Sequence, residues 1–271
     1  MVFLKYVING KYKKIKIDSI INSNENIVKI NDSTYKYIIK KEEEDTFNKL
    51  LTLLKLWNKF SKKYNINYWA CGGTLLGAIR HHGFIPWDND IDISIMLSDF
   101  ERIKRKLHKH HTLSYVETRF GMKIFEKTNI FPFENTTNIF PFIDIFICDY
   151  YDKSTIKFCG ILSSHGKPSW LVDYEFPNQH IYKDELYPLR EVEFEDTTIF
   201  VPNIQECLFR TFSNKCLNEC VISNHVKRHK NADIKKNNLR RIILKCANDI
   251  EEALHIPINL KYLTKMIIFI P

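Results

Sequence analysis

One short stretch, DNDIDISI at residues 88–95, most restricts what this chain can fold into. In an extended strand, residues two apart share a face. The alternation therefore predicts a strand over residues 87–97, with isoleucines on one face and Asp88, Asp90 and Asp92 on the other. Burial of the isoleucine face would fix the register of the strand. The pattern predicts a sheet core that carries an acidic face.

Like charges on one face repel each other. At a separation of about 6 Å and an effective dielectric constant near 20, each carboxylate pair is destabilised by roughly 3 kcal/mol. Such a face persists where it is open to water, where one carboxyl is protonated, or where a cation lies between the carboxylates. A hard divalent cation with oxygen ligands fits the last case. A solvated acidic edge is the alternative for this stretch taken alone.

A glycine pair lies upstream of the acidic stretch. Gly72 and Gly73 follow a predicted short strand and precede Thr74, where a helix to His81 is predicted. Amides at a helix start favour a phosphate group, although a tight turn also requires glycine. The acidic stretch follows about 15 residues later. Together the two features predict a site that holds a metal–phosphate group from two sides.

The same residues resemble the signature of the LicD/fukutin-related proteins, which belong to the nucleotidyltransferase-fold superfamily. The matching segments are GTLLGAIRH from Gly73 and GFIPWDNDIDI from Gly83. FIDIF at 142–146 and DELYPL at 184–189, followed by VEF and VPN, are similar to later family segments, so that the resemblance covers about residues 65–215. The chain departs from the family at Asn89, where a second acid is common, and at Phe212-Ser213, where Tyr-Gly is common.

The resemblance implies an α/β (α+β) fold, with a nucleotidyltransferase-like mixed β-sheet flanked by helices. We expect residues 1–42 to form an N-terminal β accessory element, because Asn9-Gly10 between two alternating runs favours a hairpin. Residues 43–215 are expected to form the catalytic core and residues 216–271 a C-terminal helical extension. The core begins with an amphipathic helix over 43–64, which buries the stripe Phe47, Leu50, Leu51, Leu54 and Trp57.

The resemblance also implies metal-dependent transfer of a phospho-alcohol, such as phosphocholine or ribitol phosphate, from a CDP-activated donor to a hydroxyl of a glycan or glycoprotein. Mg²⁺ or Mn²⁺ would be held by Asp90, Asp92 and Asp144, which are the predicted catalytic residues. Asp144 would be either the third ligand or the general base for the acceptor hydroxyl. The predicted substrate-binding residues are Gly72, Gly73, Thr74, Arg80, His81, Asp88 and Lys123.

Two other functions remain open at this point. A nucleotidyltransferase acting on RNA or a small molecule would fit the formal charge of +8 and the basic segments 101–110 and 227–245. The same excess of lysine, with abundant isoleucine and asparagine, is typical of AT-rich coding DNA, so nucleic acid is not predicted as a partner. A non-catalytic binding module is the second alternative, and the presence of Asp90, Asp92 and Asp144 argues against it.

Cysteine use and hydropathy predict a cytoplasmic protein. The 7 cysteines show no disulfide framework, no apolar run approaches the roughly 18 residues of a membrane span, and no signal peptide is predicted. The spacing of Cys216, Cys220, His225 and His229 superficially resembles a zinc site. A helix would place the two pairs on opposite faces, so zinc is not predicted.

Overall fold

The fold is given by a computed structural model, which describes residues 2–8, 11–17, 27–31, 34–37, 39, 41–133, 136–160, 168–170, 176, 178–217 and 219–220. The strands are β1 (Val2–Ile8), β2 (Lys11–Ile17), β3 (Ile27–Asn31), β4 (Thr34–Tyr37), β5 (Tyr68–Ala70), β6 (Asp92–Met96), β7 (Leu113–Thr118), β8 (Gly121–Glu126), β9 (Ile130–Phe133), β10 (Thr136–Ile139), β11 (Ile143–Tyr150), β12 (Thr155–Phe158), β13 (Ile181–Tyr182), β14 (Arg190–Phe194), β15 (Thr197–Val201) and β16 (Glu219–Cys220). The helices are α1 (Lys41–Tyr64), α2 (Gly72–His81), α3 (Leu97–His108), α4 (Lys183–Leu186) and α5 (Glu206–Phe212).

A seven-stranded mixed sheet forms the core, and β11 is its central strand. Along one edge β11 pairs in parallel with β6, which pairs antiparallel with β5. Along the other edge, the first half of β11 pairs with β8 and the second half pairs with β12. Helices α1 and α3 pack against β11, and α2 packs against β6. This mixed sheet flanked by helices confirms the predicted fold class.

The isoleucine face is buried as predicted. Ile91, Ile93 and Ile95 are each 0% exposed, and Ile93 and Ile95 lie opposite Ile145 and Ile147 of β11. Burial of an isoleucine side chain contributes roughly 1.5–3 kcal/mol. A slip of one residue in the pairing of β6 with β11 would move the isoleucines to the opposite, acidic face of the sheet. The register of this strand pair is therefore strongly specified.

The strand itself is shorter than predicted. The chain turns before it enters the sheet, where the amide of Asp88 donates to the carbonyl of Ile85 (2.9 Å). The ladder begins only at Asp92, which lies opposite Asp144. Asp88 and Asp90 therefore precede β6, and strand alternation does not place their side chains.

Helix α1 agrees with its predicted stripe. Leu50, Leu51, Leu54 and Trp57 are buried, and Phe47 stacks on Phe84 with ring centroids 4.9 Å apart. The segment Ser98 to Glu101 has a capping-box pattern, which predicts a helix that opens there, but the start of α3 differs. Its N-cap is Met96, and no side chain in the described ranges caps it, so Ser98 lies inside the first turn.

Further elements flank the core. Residues 113–126 form a hairpin of β7 and β8, and β14 and β15 form a second hairpin. Strands β1 and β2 pair antiparallel up to Ile8 and Lys11. Asn9-Gly10 and residues 221–271 of the predicted C-terminal helical extension lie outside the described residues. The three predicted domain boundaries stay predictions. None of the helices in the described ranges has the length and apolar character needed to cross a bilayer.

A strained residue ends α5. Ser213 has φ 83° and ψ 162°, a backbone region that is used almost only by glycine and costs another residue about 1–3 kcal/mol. We therefore expect Ser213→Gly to raise the free energy of unfolding by about 1 kcal/mol. Chemical denaturation of both proteins measures the change. Ser154→Gly, in an exposed turn, is the control, and equal or lower stability of Ser213→Gly would contradict the expectation.

Candidate active site

Three charged side chains form a row across neighbouring strands. Asp144 of β11 lies opposite Asp92 of β6 on one side and opposite Lys123 of β8 on the other. Paired residues in adjacent strands project from the same face of a sheet. The structure therefore brings together two predicted catalytic aspartates and a predicted substrate-binding lysine that are distant in sequence.

Asp92 lies in the most acidic surroundings of this row. Burial raises the pKa of its carboxyl well above the ordinary value, and the charges of Asp90, Asp144 and Asp88 raise it further. The opposing effect comes from Lys123. The predicted acidic cluster is therefore present, although the turn before β6, and not strand alternation, brings Asp88 and Asp90 to it.

Both carboxylate oxygens of Asp144 lie against one charged partner. The Nζ atom of Lys123 lies 2.9 Å from Oδ1 and 3.0 Å from Oδ2 of Asp144, and it donates its hydrogen bond to Oδ2. The buried Oδ1 is paired with the same ammonium group by charge and accepts no further hydrogen bond from the described part of the chain. Burial raises the pKa of Asp144, and the charge and hydrogen bond of Lys123 oppose that rise.

Both predicted glycines bring the start of α2 against the acidic cluster. A Cβ atom on Gly73 would lie 2.2 Å from Oδ2 of Asp88, and one on Gly72 would lie 3.2 Å from Oδ2 of Asp92. Gly72 also has a φ of +53°, a backbone angle that residues with a side chain rarely adopt. Buried Thr74 accepts a hydrogen bond from the amide of Asp92 (2.8 Å). The start of α2 is thereby fixed to the start of β6.

This close approach makes a substitution test possible. We expect Gly73→Ala to lower the free energy of unfolding by no more than about 1 kcal/mol, because the new methyl group has to displace the Asp88 carboxylate, which is the movable end of a side chain. Removing that carboxylate in the double variant Gly73→Ala/Asp88→Ala should restore most of the loss. Thermal denaturation of both variants and of Asp88→Ala alone measures this. A loss that persists in the double variant would show that the Asp88 side chain is not its cause.

Arg80 and His81 lie in the last turn of α2. Arg80 follows Gly72 by eight residues in α2, which corresponds to a rise of about 12 Å along the helix. Its Nε donates to Nε2 of His81 and its Nη1 donates to the carbonyl of Cys216, both at 2.8 Å. His81 is 0% exposed. The His81 ring packs edge-on against Trp87, which directly precedes Asp88. The predicted phosphate contacts of Arg80 and His81 stay predictions.

Sequence reasoning missed Phe142. The ammonium group of Lys123 lies 3.5 Å from the centroid of the Phe142 ring, a distance at which a cation is attracted to the ring face. Phe142 precedes Asp144 by two residues, a spacing at which two side chains share a face in extended chain. The alternation in FIDIF was therefore an available signal.

A small cavity beside the start of α2 was also missed. Its volume is about 30 Å³, which is enough for about one or two water molecules. Burial raises the pKa of the Cys71 thiol on its wall, and the charge of Asp92 raises it further. No sequence motif marked this cavity, whose lining includes Cys71, Gly72, Cys148, Gln179, His180 and Phe212.

The donor atoms of this site suit a hard divalent cation. Carboxylate oxygens are the ligands that Mg²⁺ and Mn²⁺ prefer, and the buried Oδ1 of Asp144 already lies 2.9 Å from a cationic group, the ammonium of Lys123. As the side chains stand, no three acidic, His or Cys groups of the described residues are arranged to hold a metal ion. The residues therefore fit the cation by chemistry, and side-chain rotation would have to complete the ligand set.

The nucleotidyltransferase-domain profile of LicD, FKTN and FKRP matches residues 65–204, which is more than half of the chain. The match contains β6, β8 and β11, which are the strands that carry the charged row, and it also contains the start of α2. The chain belongs to the LicD/FKTN/FKRP family. Membership agrees with the family named from the sequence motifs alone.

Three relatives illustrate the range of the LicD/FKTN/FKRP family. An uncharacterized protein of Rickettsia typhi is 33% identical over 153 residues, which cover 56% of this chain and 41% of the relative. The lipopolysaccharide cholinephosphotransferase LicD of Haemophilus influenzae is 35% identical over 85 residues, covering 30% and 32%. The human ribitol 5-phosphate transferase FKRP is 56% identical over 34 residues, covering 12% and 7%. The chain thus matches half or less of the length of each relative.

Proposed function

We propose that this chain is a metal-dependent transferase that moves a phospho-alcohol from a CDP-activated donor to a hydroxyl of a glycan or glycoprotein. One observation supports this most strongly: Asp92 and Asp144 lie opposite each other on neighbouring parallel strands, beside the glycine-rich start of α2. Membership of the LicD/FKTN/FKRP family supports the class of reaction. The printed activities of LicD and FKRP, cholinephosphate and ribitol 5-phosphate transfer, supply the candidate donors.

The reaction breaks one bond and forms another at a single phosphorus atom. The acceptor oxygen bonds to the phosphorus of the phospho-alcohol, the bond from that phosphorus to the CMP oxygen breaks, and CMP leaves. Positioning and neutralisation of charge account for most of the catalysis in such transfers. The aspartates of the site suit this demand only with a cation present, because carboxylates alone would repel a diphosphate.

Asp90, Asp92 and Asp144 are the residues that would hold Mg²⁺ or Mn²⁺. When bound, the cation neutralises phosphate charge and orients the leaving group. The raised pKa of Asp144 makes this carboxylate a stronger base than an ordinary aspartate. Asp144 is therefore suited to accept the proton of the acceptor hydroxyl, or else it completes the ligand set.

The start of α2 contributes a second set of interactions. The first amides of a helix attract anions through their N–H groups and the helix dipole. Gly72 and Gly73 lack side chains there, so the helix start lies directly against the carboxylates of Asp92 and Asp88, beside which the cation and the donor diphosphate would bind. Thr74 ties this helix start to β6, which keeps the amides and the carboxylates in one arrangement.

A donor screen tests the proposal. The purified chain is incubated with CDP-choline, CDP-ribitol, CDP-glycerol or common nucleotide sugars, with glycan acceptors, in Mg²⁺, Mn²⁺ or chelator. We expect release of CMP and modification of the acceptor with one CDP-alcohol, only in the presence of the cation. Labelled nucleotide transferred from CTP or ATP to RNA would instead support the alternative nucleotidyltransferase. No nucleotide release in any combination would contradict the proposed function.

A further inference from the structure

We infer that Lys123 is an exchangeable counter-ion, which neutralises Asp144 until a divalent cation binds and then pairs with the donor diphosphate. The inference rests on the proposed function and concerns the order of events at the same site. Lys123 would thereby couple the binding of the cation to the binding of the donor.

The geometry shows a complete ion pair at the predicted cation site. The Nζ atom of Lys123 is within 3.0 Å of both carboxylate oxygens of Asp144. A divalent cation bound to Asp144 would compete with this ammonium group for the same oxygens. A cation and an ammonium group at that distance repel each other strongly in a partly buried site. Binding of the cation therefore requires the ammonium group to move.

Exposure and side-chain chemistry allow that movement. The side chain of Lys123 is 27% exposed, whereas that of Asp144 is only 13% exposed. Lysine carries a compact charge on a stem of four carbons with freely rotating bonds. The buried carboxylate stays on its strand, while the ammonium group can swing toward solvent and toward a bound donor.

Phe142 limits where the ammonium group goes. Its ring centroid is 3.5 Å from Nζ of Lys123, and cation–π attraction persists without the carboxylate. The Phe142 ring keeps Lys123 near Asp92 and Asp144 after the ion pair between Lys123 and Asp144 opens. The nearest anion that arrives with the cation is then the donor diphosphate, so the two ligands should assist each other's binding.

Titration calorimetry of the full chain tests the exchange with two probes, Mn²⁺ alone and CDP in the presence of Mn²⁺. We expect Lys123→Met to bind Mn²⁺ about tenfold more tightly than the wild type, because the competing ammonium group is gone. The same variant should bind CDP in Mn²⁺ about tenfold more weakly, because the phosphate partner is gone. The measurements are made at one mildly alkaline pH for all proteins, which favours the ionised carboxyls.

Two control variants accompany the test. Lys157→Met removes a lysine whose Nζ lies 4.1 Å from the Tyr151 ring centroid, and it should change neither affinity. Lys123→Arg keeps the charge and should retain most of the CDP affinity; thermal denaturation verifies that each variant is folded. Unchanged or weaker Mn²⁺ binding by Lys123→Met, or unchanged CDP binding, would overturn the exchange. Tighter Mn²⁺ binding by the variant, with a wild type that binds no CDP and turns over no donor, would count against the proposed function and not against the competition at Asp144.

Discussion

Asp92→Asn is expected to lower nucleotide release by about 10³-fold and to make the protein more stable. A metal ion contributes several kcal/mol of charge stabilisation in the transition state, and each 1.4 kcal/mol is about a factor of ten in rate. Asp92 is partly buried beside three other carboxylates, so its charge is destabilising without a cation. Because folding raises the pKa of this carboxyl, we expect Asp92→Asn to have a higher free energy of unfolding than the wild type at neutral pH.

The stability gain should depend on pH in a defined direction. The pKa of Asp92 is raised by folding, so between the ordinary aspartate pKa and the raised value the folded state holds a proton that the unfolded state has lost. Stability from this group therefore falls as pH rises through that window. Asp92→Asn should match the wild type below the ordinary aspartate pKa and exceed it increasingly above that value. Denaturation in chelator across the pH range measures the difference.

Asp196→Asn is the matched control for this prediction. The Asp196 side chain is 63% exposed and pairs with Lys55 on the surface. In Asp196→Asn, nucleotide release and the pH dependence of the free energy of unfolding should therefore match the wild type. Wild-type turnover by Asp92→Asn would contradict its assignment as a cation ligand. A loss of activity together with a loss of stability would mean that the carboxylate supports the fold instead.

Arg210→Met is expected to destabilise the protein by about 3 kcal/mol, because it leaves the Glu185 carboxylate in a largely buried position without its charge partner. The Nη1 atom of Arg210 lies 2.8 Å from Oε1 of Glu185, and Nη2 donates to Oε2. Burial alone would raise the pKa of Glu185, but the hydrogen bonds from Arg210 and from the amide of Tyr182 hold it below the ordinary value. This ion pair joins α4 to α5, and α5 packs against α2.

Denaturant titration of single and double variants measures the pair. Glu185→Leu/Arg210→Met removes both charges and should recover most of the stability lost by Arg210→Met, because no unpaired buried charge remains. Lys55→Met breaks a surface pair, whose side chains are 41% and 63% exposed, and should cost less than about 1 kcal/mol. If Arg210→Met and Lys55→Met lowered the free energy of unfolding equally, burial would add nothing to the strength of the ion pair between Glu185 and Arg210.

The local features of the site could be predicted from the sequence where one segment contains all the necessary residues. The isoleucine alternation correctly predicted the buried face of β6, and the glycine pair correctly marked the start of a helix. The length of β6 could not be predicted, because the alternation continues into Asp88 and Asp90 while the chain turns there. Whether an alternating segment joins a sheet depends on the strand with which it pairs. The periodicity of one segment carries no information about that partner.

The sequence by itself determined the family, the sheet-forming pattern of β6 and the identity of the acidic residues. Only the tertiary structure decided that Asp144 lies opposite Asp92 and that Lys123 pairs with Asp144, while Arg80 lies toward the other end of α2. The physical reason is that local backbone preference and burial act within a segment, whereas strand register joins residues far apart in the chain. The chemistry of this site depends on that register, because it sets which charges are neighbours.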